Sequence, residues 1–309
     1  MKEKIFNIII IIISLFVLGE LIIKKEIIYG SIMYALNIWV NSLIPALFPF
    51  FIISDILINY NITAYIPKII KSICKYLFKI SDSSLTIFIL SMISGFPSNA
   101  RNTRNMYNKG LISLEEANHI LMFSHFANPV FILTTVGVFF FNSQKMGISL
   151  LIIHYLSNFI LGVCIRSNIP HSNYLKIKNG TNSFGNIFIS AIKKAIDTTL
   201  TICGILVVFL ILSTIIINTF NFTLYNQMLI KGFSEITIGL EALSKLNLSI
   251  NYKLIIASMF LAFGGISVHI QVLSQIIDTE IKYHYFLIGR LYQMVIAAFM
   301  AFIYTFLSI

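Results

Sequence analysis

Ser94-Gly95-Phe96-Pro97-Ser98-Asn99-Ala100-Arg101 follows the apolar run Leu85–Ile93, and Gly264-Gly265-Ile266-Ser267-Val268-His269-Ile270-Gln271 follows the apolar run Leu254–Phe263. Each run stops at glycine, with polar residues just beyond. A helix inside hydrocarbon does not interrupt its hydrogen-bond ladder unless protein or a watery cavity satisfies the freed backbone groups. Interrupted segments in corresponding positions of two halves are the sequence mark of a transporter's substrate site. The two stretches therefore predict an all-α polytopic membrane protein, built as two repeats with broken or re-entrant helices.

The rest of the chain fits that reading. Of its 309 residues, 57% are hydrophobic and 11% charged, against roughly 25% charged in soluble domains. Apolar stretches lie near residues 5–23, 31–58, 85–97, 119–141, 146–166, 185–219, 253–277 and 284–308. The stretch 31–58 exceeds one untilted span, and Pro45 and Pro49 predict a kink or division within it. Leu85–Pro97 is too short to cross and suits a half-helix or re-entrant hairpin. Met1–Lys4 and Ile5–Gly19 have the look of a signal peptide without a small-x-small cleavage site, which predicts an uncleaved first helix. Cys74, Cys164 and Cys203 are odd in number and widely spaced, and read as packing residues.

The net charge of +10 does not call for nucleic acid, because Lys and Arg fall mainly between hydrophobic runs. The segment Arg166–Ser183 holds Arg166, Lys176 and Lys178 with no acid, and is expected on the cytoplasmic side. The organisation expected is an N-terminal membrane helix at 1–30, a first repeat at 31–166, a cytoplasmic linker at 167–184 and a second repeat at 185–309. At an ungapped offset of 169, Gly95 faces Gly264 and Ser98 faces Ser267. Upstream, Asn41-Ser42-Leu43-Ile44 and Asp197-Thr198-Thr199-Leu200 are each expected to open an apolar helix. Between helix and break lie Ile66–Ile80, whose Lys68, Lys71, Lys75 and Lys79 form a stripe suited to the headgroup boundary, and Leu229–Leu246.

The candidate site follows from the chemistry of the breaks. Gly95, Gly264 and Gly265 permit dihedrals closed to other residues, and Pro97 suits the first turn of a new half-helix. The free N–H groups of such a half-helix favour anions and carboxylates. Ser94, Ser98, Asn99 and Ser267 add hydrogen-bonding groups. Arg101 and Arg104, one turn apart, either pair with carboxylates or act as orientation signals. Asn128, before Pro129, is a cavity-facing candidate, with a structural proline kink as the alternative. Glu235, beside Thr237, suits a coupling cation, a proton or a substrate donor, unless it pairs with Lys231. His269 and Gln271 complete the set. The chain has no HExxH, Walker loop or GxGxxG, and Gly265-Ile266-Ser267-Val268 lacks the glycine that follows a rhomboid nucleophile. No catalytic activity, metal or cofactor is expected, with a coupling ion, Na+ or H+, left open.

Five blocks carry a family resemblance: Ser42-Leu43-Ile44-Pro45-Ala46-Leu47-Phe48-Pro49-Phe50-Phe51, Ser94-Gly95-Phe96-Pro97, Phe123-Ser124 with Asn128-Pro129-Val130-Phe131, Gly232–Gly239 with Glu235, and Phe263–Gln271. In wording and order they resemble the YlbJ family of sporulation integral membrane proteins, which is similar to the nucleoside-recognition or Gate-domain proteins. Ser98-Asn99-Ala100-Arg101 departs from the small residue, Gly and Ala-Lys expected after the proline. The resemblance implies two Gate-like repeats and a transporter that moves a small anion, dipicolinic acid, across the outer forespore membrane of the mother cell. Its expected partners are that substrate and the lipid bilayer, with a homo-oligomer or sporulation membrane partners left open. Nucleoside or other small-metabolite transport, and a non-transporting scaffold for the spore envelope, are the alternatives.

Overall fold

The computed structural model describes residues 2–167, 169 and 183–307, all of whose regular elements are helices. Most of the linker expected at 167–184 lies outside the described residues. Six helices are long and apolar enough to cross a membrane, and the chain is a polytopic membrane protein. Helix α1 (Lys2–Ile23) packs little against the rest and exposes Ile and Leu on every side, as a lipid-facing helix does.

Helix α2 (Lys25–Asn59) and helix α9 (Phe184–Thr219) are the two longest rods, at 35 and 36 residues, or about 50 Å each at the α-helical rise. They run antiparallel. Lys24 Nζ donates to Thr219 Oγ1 at 3.2 Å, Ser31 and Thr214 hydroxyls meet at 2.8 Å, and Lys194 pairs with Asp55 at 3.2 Å. The expected division of 31–58 does not occur. A π-helical turn at Trp39–Leu43 precedes Pro45, and this wider turn accommodates the missing N–H while the helix continues. Asn41–Ile44 and Asp197–Leu200 consequently lie inside rods, not at helix starts, and the boundary expected at residue 30 falls within α2.

Helix α3 (Lys68–Phe78) carries the lysine stripe and turns 95° into α4 (Asp82–Ser94). Lys71 and Lys75 pair with Asp82 at 3.6 and 2.9 Å across that corner. Helix α4 then breaks at Gly95–Pro97 and returns as α5 (Ser98–Asn108). Both ends of this pair sit beside the C-terminal end of α2, since the Thr63 and Thr86 hydroxyls meet at 2.6 Å and Lys109 Nζ donates to Asn59 at 3.3 Å. It is a re-entrant hairpin with its tip at Gly95. Next come α6 (Leu114–Phe123), a second break at Ser124–Pro129, the π-helical α7 (Phe131–Phe140) and α8 (Gln144–Cys164). Phe88, Phe123 and Phe126 bind the hairpin to α6, with ring centroids 5.6 and 5.5 Å from Phe88.

The second half repeats this order. After α9 comes the hairpin α10 (Leu224–Ser234) and α11 (Ile236–Lys245), then α12 (Ile250–Phe263), a break at Gly264, α13 (Gly265–Ile276) and α14 (Tyr283–Leu307). The hairpin closes so tightly that a Cβ on Gly239 would lie 2.1 Å from the Gly232 Cα. Packing obeys the same exchange: α5 lies on α13 as α11 lies on α7, and α6 on α14 as α12 on α8. The second hairpin shares a cleft with Ser31 and Thr214, at the N-terminal end of α2. The two hairpins thus enter from opposite ends of α2, which makes the repeat inverted. Element order also corrects the register at offset 169: the Gly95 tip corresponds to Glu235, and the Ser124–Pro129 break corresponds to Gly264.

Candidate substrate site

Four breaks meet at the centre, in two pairs. Gly95 has φ +76°, and a Cβ there would lie 2.7 Å from the Asn128 amide nitrogen, so the first hairpin tip rests on the α6–α7 break. Gly265 has φ +71°, and a Cβ there would lie 3.2 Å from the Ile236 nitrogen, so the α12–α13 break rests on the second tip. Gly264, at φ +89°, ends α12 in the left-handed region that glycine occupies without penalty. A cavity of about 30 Å³ between them is lined by Phe96, Asn128, Glu235, Thr237, Val268 and Gln271, with Leu43, Leu47 and Ile202 closing its sides. That volume admits a water-sized molecule.

Several candidates are engaged in holding the breaks. Ser94 bonds the Leu90 carbonyl at 2.6 Å and Ser54 at 2.8 Å. Asn128 donates to the carbonyls of Ala46 at 2.8 Å and Ile93 at 3.0 Å, and its oxygen accepts from Val130 and Phe131. Its hydrogen-bonding capacity is therefore taken up by the backbone of three elements. Glu235 is not paired with Lys231 among the described residues. Its carboxylate accepts from the amides of Thr237 at 2.8 Å and Ile238 at 3.0 Å, and from the Thr237 hydroxyl at 3.2 Å, capping α11. His269 holds the Phe263 carbonyl freed at the Gly264 break, at 3.1 Å, and meets Tyr283 at 2.7 Å. Pro97 opens α5 after a cis bond to Phe96. The expectation that amides after Gly95 stand free holds only in part, because Ser98 donates to Gly95 and Arg101 to Pro97. The Ser98 hydroxyl accepts from Asn102.

Other candidates are buried with capacity left over. Among the described residues, Asn99 Nδ2, Ser267 Oγ, and Nε and Nη1 of Arg101 have no partner, although Asn99 accepts from Thr103 and Arg101 Nη2 donates to the Phe51 carbonyl at 3.0 Å. Gln271 lines the central cavity. Helix α5 is polar along its length yet buried from Ser98 to Thr103, an arrangement reserved in membranes for bundle interiors and water-filled cavities. Arg101 forms part of the wall of a cleft of about 360 Å³ with Arg104, Lys194, Asp197, Thr198 and Gln275. Arg104 there pairs with Asp278 and Lys194 with Asp55. Gln271 and Gln275 are one turn apart on α13, and Thr198 and Ile202 one turn apart on α9, so this cleft continues towards the central cavity.

The sequence reading missed Asp55 and Arg290. Arg290 is fully buried and its guanidinium reaches the carbonyls of Met122 at 3.0 Å, His125 at 3.1 Å and Ala262 at 3.4 Å, as well as Gln293. It thereby ties the α6–α7 break to the α12–α13 break. The signal was available: an arginine in the apolar run 284–308 is a functional candidate by default. His154 extends the network by accepting from the Ala127 amide at 2.9 Å. Among the described residues no three His, Cys, Asp or Glu side chains are grouped to hold a metal ion.

Two opposed hairpins with broken helices at their tips define an integral membrane protein of inverted-repeat design. Over 301 aligned residues, 85% of this chain and 74% of its relative, the sequence is 29% identical to the sporulation integral membrane protein YlbJ of Bacillus subtilis (strain 168). The chain is thus similar to that sporulation membrane protein along most of its length. No protein-family model and no solved structure matches it.

Proposed function

We propose that the protein carries a small anionic metabolite, dipicolinate, across the outer forespore membrane during sporulation. One observation supports the anion above all. Arg101 is buried in the cleft wall with two donor nitrogens unpartnered, and leaving such a charged donor unsatisfied costs about 1–3 kcal/mol or more. A carboxylate entering the cleft supplies the missing acceptor. Asn99 and Ser267 have buried donors left over behind the cavity walls, and Gln271 lines the central cavity. The small central cavity suits alternating access, in which one broken-helix bundle moves against the other. The family resemblance supports dipicolinate as that anion. Glu235, saturated by its cap yet facing the cavity, is the group placed to sense a coupling ion, Na+ or H+.

The test is uptake of labelled dipicolinate and of nucleosides into proteoliposomes holding the purified protein. Saturable dipicolinate uptake, lowered at least tenfold by Arg101→Gln with melting temperature unchanged, is the expected result. Nucleoside uptake without dipicolinate uptake would reassign the cargo. Uptake of neither would leave the envelope scaffold as the reading.

A further inference from the structure

Helix α9 presents one face to three cavities in succession. Lys194, Thr198 and Thr201 line the Arg101 cleft, Ile202 lines the central cavity, and Leu210, Ser213 and Thr214 line a third cleft of about 400 Å³ on the other side. Thr198, Ile202, Leu206, Leu210 and Ser213 recur every three or four residues and form one stripe, with Lys194 and Thr201 along one edge and Thr214 along the other. Ile196, Leu200 and Val208 lie off that stripe and are exposed, as lipid-facing residues are. From Lys194 to Thr214 the lining residues span about 30 Å, the thickness of a bilayer's hydrocarbon core.

Apolar contacts separate the three spaces. Leu47, Phe51 and Ile202 pack between the Arg101 cleft and the centre. Ile38, Leu206, Leu210 and Ile238 pack between the centre and the third cleft. The third cleft has its own cation. Lys231, half-buried at its wall, has no carboxylate partner among the described residues, whereas Lys245 beside it pairs with Glu241 at 2.5 Å. The cleft is formed by the second hairpin with α2 and α9. The Arg101 cleft is formed by the first hairpin with α9 and α13. Inverted repeats place equivalent hairpins at opposite mouths.

We infer that the Lys231 cleft is a second carboxylate-anion site, at the far mouth of one path that α9 lines from end to end. The inference rests on the transport reading above, and deepens it by naming where the anion stands on the other side.

Single cysteines in a chain with Cys74, Cys164 and Cys203 replaced by serine test it. Right-side-out and inverted vesicles receive a membrane-impermeant thiol reagent, with dipicolinate as the probe ligand. Thr201→Cys should react from one face only and Thr214→Cys from the other, with Val208→Cys unreactive from both. Dipicolinate should slow labelling at both threonine positions severalfold. Adding Lys231→Gln should remove protection at position 214 and leave it at 201, and Lys231→Arg should restore it. Labelling of 201 and 214 from the same face, or of neither, overturns the path. Protection at 201 alone in the unaltered Lys231 background, or protection at 214 indifferent to Lys231→Gln, overturns the second site while the transport reading stands. Opposite-face labelling with no protection anywhere overturns dipicolinate as cargo and the Lys231 anion site with it, leaving only the path.

Discussion

Asn128→Ala removes four hydrogen bonds from the point where the first hairpin tip, α2 and α7 join. The carbonyls of Ala46 and Ile93 lose their donor, and the amides of Val130 and Phe131 lose their acceptor. Interhelical hydrogen bonds in membrane proteins average ~0.6 kcal/mol each, while buried groups left unsatisfied cost about 1–3 kcal/mol each. Asn128 is 2% exposed, and the cavity it lines has room for about one water, too little to replace four hydrogen bonds. Taking a value between those limits gives a loss of about 4 kcal/mol, or roughly 6 °C in melting temperature for a protein of this size. Asn128→Asp keeps the acceptor for both amides and loses both donations, so it should fall between wild type and alanine or below them if the charge stays. Thermal unfolding of purified protein in detergent, followed by size-exclusion, reads both. A melting temperature for Asn128→Ala within about 1 °C of wild type, which is under 1 kcal/mol by the same scaling, would refute the view that this side chain is a structural joint, and would return it to the cargo-binding candidates.

Gly289→Ala should be disruptive by about 3 kcal/mol or more, because its Cβ would lie 2.0 Å from the Met122 carbonyl oxygen; detergent melting checks it. Arg290→Met leaves the carbonyls of Met122, His125 and Ala262 without their donor, and should sharply lower membrane levels on immunoblots of expressing cells. Glu235→Gln keeps an oxygen for the α11 cap and should stay within about 1 kcal/mol of wild type in melting, whereas Glu235→Ala should lose about 1–2 kcal/mol. If Glu235 senses the coupling ion, Glu235→Gln uptake loses its dependence on the Na+ or H+ gradient.

The breaks at Gly95 and Gly264 were legible because glycine after an apolar run is a local signal, and the backbone there does adopt positive φ. The break at Ser124–Pro129 was legible as a kink, and the one at Glu235 only as a polar interruption. Their pairing was not legible. Identities at offset 169 joined Gly95 to Gly264, since Leu and Ile match readily in apolar sequence, while the packed order of helices joins Gly95 to Glu235. The prolines of α2 misled for a related reason: their local preference to divide a helix yields to tertiary contacts with α9 along most of its length.

Composition and hydrophobic run length were sufficient, without any coordinates, to establish a bundle of membrane helices with central interruptions, because bilayer insertion depends on each segment's own residues. Which polar side chains remain free for a cargo depends instead on partners far along the chain: Asn128 with Ala46, Arg290 with Met122, Lys194 with Asp55. A hydrogen bond is a relation between two positions, and only the folded arrangement decides that Asn128 and Glu235 are fully engaged while Asn99 and Arg101 keep donors to spare and Ser267 keeps its hydroxyl.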